Sequence, residues 1–410
     1  MKATRSFLIF FLLFFMPVII YAQASFSGYA GVKGDFFSNK DSDHFDPSLT
    51  AQTYFAGQLN FLKNFLVRGE FSIETEDIIA TGPFTGTKAE FCIDELSATY
   101  IKPFLGVTQY FSLFLGTYEP IGSDVFLQRQ FGIEPITSLI TQSWLGLKGS
   151  TAYPFYGTGG SYIVHLSKQP IATGAYIYVN KENSQNEYQL NLDWRFGTVN
   201  PWFTLDFALG IGAPLLSKQG DKKVILLIDT LYLHTGVDFL LGNKYSNSLF
   251  FQGGFSKLQL KAGDDAEEMT SNEVYLILEP RIVTKQFQAH ITFFSMPADS
   301  VEKLIFIDDN NTLGLNIAIF TENLPVKNKN ITFGFHATWS FKNKDYRDIF
   351  DENIELLKNT DNFSIKVSPF LALPVMSGTL HAMLQARITD LSGNSWQDAF
   401  KLSIGYKSSL

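Results

Sequence analysis

The chain has 410 residues and one cysteine, Cys92, which excludes an internal disulfide framework. Lysine and arginine number 32 against 40 aspartates and glutamates, a balance that argues against nucleic acid as a partner and does not favour anionic surfaces. Forty phenylalanines and 17 tyrosines would suit a barrel that shows aromatics to lipid and to its interfaces; a large secreted β-solenoid or sandwich is the soluble alternative.

At the amino terminus Lys2 and Arg5 precede an apolar run from Phe7 to Ile20, and Ala22-Gln23-Ala24 follows with the small-x-small pattern read by signal peptidase. Residues 1–24 therefore read as a secretory signal peptide. A retained anchor is the alternative, but the run is short for a spanning helix. Without Lys2 and Arg5, 30 bases face 40 acids, a net charge of about -10. Beyond residue 24 no apolar stretch approaches the ~20 residues of a membrane helix. Any membrane-spanning part must then be a closed β-barrel, since backbone polar groups in lipid must be satisfied within the chain.

The first segment, Ser25 to Phe37, sets Phe26, Ala30, Val32 and Phe36 on one face and Ser25, Ser27, Lys33 and Asp35 on the other. A second, Leu49 to Phe61, and a third from Phe65 repeat the rule. The fourth, Ala89 to Lys102, changes face between Ile93 and Leu96, as one inserted residue does at a β-bulge. Alternation resumes in Val107 to Thr117. It then fails from Tyr118 to Thr158, which carries Glu119, Asp124, Arg129 and Glu134 among aromatics and keeps no lasting period. Further strands are predicted at Gly159 to Ser167, Ala172 to Asn180, Glu187 to Phe196, Trp202 to Ala213, Val224 to Leu240, Tyr245 to Leu260, Asn272 to Thr284 and Gln286 to Ser295. The last five are Asn311 to Phe320, Lys329 to Phe341, Asn362 to Leu373, Gly378 to Thr389 and Ala399 to Leu410.

Eighteen strands result, with sixteen as the fallback count, and the connections alternate long and short. Residues 197–201 read as a turn, 296–310 as one of the long external loops, and 321–328 as an unusually long turn. The fold class is all-β: a single transmembrane, antiparallel, up-and-down barrel over residues 25–410, with long external loops and short periplasmic turns. By parity the wet face carries Lys33, Arg68, Glu70, Glu74, Asp193, Arg195, Asp206, Glu279, Arg281, Lys366 and Arg387, together with His165, His234, His290, His336 and His381.

The carboxyl end places Phe400, Leu402, Ile404 and Tyr406 on alternate positions. With Ser403, Gly405 and Leu410 it resembles the assembly signal by which outer-membrane proteins engage the barrel-assembly machinery, although Ser408 and the final leucine depart from the usual pattern. As a whole, residues 25–410 resemble a general or sugar-type diffusion porin of Gram-negative-type outer membranes, by architecture and without a family-specific motif. The resemblance implies export through the periplasm to the outer membrane of a diderm bacterium, contact with outer-membrane lipid, passive flux of small hydrophilic solutes and ions, and often a homotrimer. In those families the third external loop, between strands five and six, folds inward and narrows the channel. Residues 118–158 hold that place.

The residues expected to set selectivity are Glu119, Asp124 and Glu134 of the loop, with Arg129, facing Arg68, Arg195, Arg281 and Arg387 on the wall. The plain alternative is that the loop lies outside and the wall charges only solvate the lumen. Enzymatic readings find less support, and no cofactor or metal is called for. The five strand histidines lie on different strands without a second ligand at metal spacing, and Gly157-Thr158-Gly159-Gly160 lacks the following helix of a phosphate cradle. Asp264, Asp265, Glu267 and Glu268 read as a solvated acidic loop, and Tyr346 to Lys358 as a short loop helix. A surface adhesin on a barrel platform is the alternative function, motivated by long loops such as 342–360.

Overall fold

The computed structural model describes residues 24–38, 46–61, 63–81, 88–142, 144, 156–182, 187–215, 230–261, 273–301, 304–308, 310–326, 329–345, 363–392 and 396–410. The expected leader, 1–24, lies outside them except for Ala24, as do the acidic loop at 264–268, the whole of the expected helix at 346–358, and 143 and 145–155 of the candidate constriction.

Eighteen strands form: β1 (Ser25–Ser38), β2 (Pro47–Phe61), β3 (Phe65–Thr75), β4 (Ala89–Phe104), β5 (Val107–Gly116), β6 (Gly157–Leu166), β7 (Ile171–Glu182), β8 (Glu187–Asn200) and β9 (Phe203–Leu215), then β10 (Thr230–Leu241), β11 (Ser248–Lys261), β12 (Val274–Val283), β13 (Gln288–Ser295), β14 (Asn311–Val326), β15 (Lys329–Lys342), β16 (Phe363–Val375), β17 (Gly378–Arg387) and β18 (Phe400–Ser409). Each pairs antiparallel with its sequence neighbours, and β1 also pairs with β18 from Tyr29↔Ser409 to Phe37↔Lys401. The sheet is therefore closed, and no strand edge is left without a partner. The count is eighteen, not the fallback sixteen.

Two connections differ from the sequence reading. β8 and β9 stay paired out to Asn200↔Phe203, so the turn at 197–201 shrinks to Pro201 and Trp202. β14 runs on through an irregularity after Thr321 to the pair Val326↔Lys329, so most of 321–328 is strand and not a long turn. The bulge in β4 falls at Asp94: Glu70 pairs with Glu95 and Phe71 with Ile93, so Asp94 is the inserted residue of the register. Its carbonyl instead accepts the Thr117 N–H at 2.9 Å. Gly116, at φ +105°, lies against that carbonyl so closely that a Cβ would come within 2.3 Å of it, so a residue with a side chain would clash there.

The strands carry an inverted polarity. Phe55, Ile73, Phe111, Leu113, Ile177, Leu192, Trp194 and Phe333 are exposed on the outer surface, while Ser97, Arg195, Asp206, Gln252, Glu279, Asn316, Thr338 and Lys366 are buried on the inner one. The outer aromatics stack in rows across neighbouring strands. One row runs Phe26, Phe55, Phe71, Phe91 at 5.9–6.5 Å between ring centres. A second runs Phe61, Phe65, Tyr100, Phe111, Tyr162 at 4.9–6.4 Å. Phe55 and Phe61 sit six residues apart on β2, which separates the rows by about 20 Å along the strand.

Candidate functional site

Residues 118–142, between β5 and β6, pack against the strand face that carries the buried polar residues. From the end of β5 the chain reaches the inner face of β7 and β8, then that of β10 and β11. The Gln252 side-chain amide donates to the Gly122 carbonyl at 2.6 Å. The wall makes room with bare backbone: a Cβ on Gly236 would meet Ile121 at 2.4 Å, and one on Gly197 would meet Phe126 at 2.8 Å. A helix, Val125–Phe131, then turns back toward β4 to β6, where the Phe131 ring meets that of His165 at 5.0 Å. The chain crosses again to β12 and its neighbours.

Asp124 ties this excursion at its neck. Its carboxylate accepts the N–H groups of Ile136 at 2.6 Å and Thr137 at 2.9 Å, and the Gln128 amide as well. Burial pushes its carboxyl upward from the ordinary aspartate range, and those hydrogen bonds only partly offset the push. Asp124 is thus a brace within the loop and faces no wall arginine. Glu134 lies exposed beside the short turn between β10 and β11, where a hydrogen bond from Lys244, together with its charge, lowers the carboxyl pKa.

Glu119 is buried and does face the wall. Arg195 lies with one nitrogen 3.9 Å from its carboxylate and donates to the Glu119 and Pro120 carbonyls at 2.9 and 3.1 Å; the Tyr176 hydroxyl donates to the same carboxylate. Arg195 also approaches Asp206 at 4.0 Å, and Asp206 stands opposite Asp238 across the β9–β10 pair. Arg129 pairs with Glu95 and lies 3.7 Å from Glu119, its guanidinium 4.2 Å above the Tyr118 ring. Arg281 bonds Glu279 at 2.8 Å and the Ile136 carbonyl at 2.7 Å, and Ser138 donates to Glu279. Of the acid-to-wall-arginine contacts expected from sequence, Glu119 with Arg195 is the one that forms among the described ion pairs. Arg281 holds the loop through a backbone carbonyl, because a loop lying flat on the wall presents its main chain as often as its side chains.

Residues 296–301 and 304–308, from a stretch read from sequence as an external loop, also pack against that inner face. Val301, Leu304, Phe306 and Ile307 are buried, and the Phe306 ring lies over that of His336 at 3.6 Å. Asp308 takes Lys366 at 2.9 Å and Arg387 at 3.8 Å, and Lys366 also donates to the Ile305 and Ile307 carbonyls at 3.2 Å. Burial pushes the Asp308 carboxyl up, but Lys366, the Ser364 hydroxyl and Arg387 together hold it below its ordinary range. Lys366 and Arg387 thus anchor this second segment. Its apolar residues meet Leu127, Ile136 and Ile140 of the first, along with the inward Leu240, Phe250, Tyr275, Ile277 and Phe294, in one apolar core inside the barrel.

The two segments therefore cover much of the inner face from β4 to β16. Half-exposed inward residues persist along β17, β18 and β1 to β3: Tyr29, Lys33, Gln52, Gln58, Arg68, Glu70, His381 and Lys407. Lys33 pairs with Asp35 at 3.0 Å, and Glu70 accepts the Tyr54 hydroxyl at 2.7 Å. A cavity of about 270 Å³ opens between the loop helix and the inner face of β2 to β6, bordered by Arg68, Arg129, Gln58, Gln128 and Gln130. Sequence reasoning missed Glu95 as a site residue. The bulge that it detected in β4 was the signal, because the extra residue at Asp94 is what turns Glu95 inward. Among the described residues no group of three or more histidines, cysteines or acids is placed to hold a metal ion.

Against this geometry stand the comparisons with known proteins. No family model matches the sequence, and no curated protein matches it. Among solved structures, the chain is similar in shape to mutant forms of the Rhodopseudomonas blastica porin. Two of these align at a TM-score of 0.39 with 7% identity, and a third at 0.37 with 8% identity. Each alignment covers 95% of this chain and all of the porin.

Proposed function

We propose that the chain forms a water-filled passage across a bacterial outer membrane, for passive diffusion of small hydrophilic solutes and ions. The observation that carries this reading is the inverted polarity of a closed barrel, apolar outside and charged inside. A soluble barrel or sandwich gains its stability by burying the apolar face, and here that face is the one left uncovered. Seventeen of the strands are ten residues or longer, which exceeds or meets the ~9–11 residues that a tilted strand needs to cross hydrocarbon. The two aromatic rows stand about as far apart as interfacial girdles, whose apolar band is about 25 Å tall.

Barrels of this strand number leave an aqueous interior unless something fills it. Here the two inward segments occupy the side of β4 to β16, so the passage runs eccentrically along the wall of β17, β18 and β1 to β3. Residues 118–142 are the constriction in this reading, held by Glu119, Asp124 and Arg129 within and by Arg195 and Arg281 on the wall. Lys33, Arg68 and Glu70 border the solute path itself. The outward Leu402 and Ile404 of β18 form the segment that barrel-assembly machinery would grip, and a homotrimer is the assembly this reading expects.

Osmotic swelling of proteoliposomes tests the proposal. Vesicles carrying the folded chain should swell in isotonic arabinose and much more slowly in a tetrasaccharide such as stachyose. Equal rates for both sugars, or no swelling beyond protein-free vesicles, would contradict it.

A further inference from the structure

The cavity between the loop helix and β2 to β6 is more than residual space. It lies in the half of the barrel nearer the short turns, since Arg68 is three residues from the start of β3 and Gln58 three from the end of β2. Two guanidiniums border it and no carboxylate does. Their charges are committed differently. Arg129 is neutralised by Glu95 and Glu119. Arg68 donates to the neutral Gln58 amide at 2.7 Å, and among the described residues it forms no ion pair. Glu70, two residues along the same strand face, accepts the Tyr54 hydroxyl and acts on Arg68 at longer range, as does Glu95, but neither carboxylate is part of the lining.

The helix side of the cavity adds unsatisfied polarity. The Gln130 side-chain oxygen is buried without a hydrogen-bond partner, and the Arg129 Nε is also unmatched. Buried polar atoms left unpaired are destabilising, so a guest that supplies partners is favoured there. A carboxylate suits the remaining N–H groups of a guanidinium, which it can meet with two parallel hydrogen bonds. Hydroxyl groups suit the amides of Gln58, Gln128 and Gln130, because a hydroxyl both donates and accepts.

We propose that this cavity is a binding subsite for a small, hydroxylated organic monoanion, with the carboxylate on Arg68 and the hydroxyls on the glutamine amides. That the anion pauses there during passage rests on the channel reading; that it binds does not.

Titration of the detergent-folded full chain with potassium gluconate, followed by calorimetry, tests it without requiring conduction. Saturable one-site binding is expected, uncompeted by glucose. Arg68→Gln should weaken it at least tenfold, and Arg68→Lys, which keeps the charge but loses the fork, should weaken it less. Lys102→Gln, which removes an exposed cation that is not part of the cavity lining, should leave it unchanged. Absence of saturable binding, or binding indifferent to Arg68→Gln in a folded variant, overturns the proposal. Gluconate binding by a barrel that passes no current would sink the channel reading and leave the subsite standing, whereas current without binding would do the reverse.

Discussion

Excision of Val125–Pro135, with Asp124 joined directly to Ile136, should raise single-channel conductance at least twofold while the barrel still folds. The splice is geometrically mild because the Asp124 carboxylate already holds the Ile136 and Thr137 N–H groups at 2.6 and 2.9 Å. It removes Leu127 from the internal apolar core and Arg129 from Glu95, and opens the space between them to water. The strands keep their own ladders and the β1–β18 closure, so the loss should fall on the lumen and not on the wall. Current recordings of the two proteins in the same lipid and salt would show it. Equal conductance would mean that the helix Val125–Phe131 lies outside the conducting path.

A charge placed on the outer face should destabilise the barrel strongly. Leu113, mid-strand in β5 and 72% exposed, becomes the test position, because water tolerates an arginine there and hydrocarbon does not. Leu113→Arg should cost about 2–4 kcal/mol in reversible folding into lipid vesicles, the penalty for a cation near the bilayer midplane. Gln52→Arg, on the half-exposed inner face of β2, should cost little. If both substitutions cost the same small amount, the outer face does not lie in hydrocarbon.

Much of the barrel could be read from the sequence because the strand period leaves little choice. In β15, Phe333, Phe335 and Trp339 alternate with His336 and Thr338, and one face must be wet. That rule placed the charged residues and all five strand histidines on one face, and it revealed the bulge in β4. Parity says nothing about where a segment without a period goes. Val301, Leu304, Phe306 and Ile307 belong to a stretch too short and irregular to show a period, so their burial inside the barrel had no signal. The partners of Asp124 and Glu134 were equally hidden. Whether Asp124 meets an arginine or its own backbone depends on the path of the chain, which Gly197 and Gly236 shape by leaving space on the wall.

The central claim is that a polar interior enclosed by an apolar outer wall makes a conducting path. Planar-bilayer recording of the purified full chain in potassium chloride tests it most directly. Discrete, stepwise increases in current are expected with each insertion, with larger steps for the Val125–Pro135 excision and none for denatured protein. A barrel that inserts into the bilayer, shown by protease protection in the same lipid, yet carries no current in either form would contradict it.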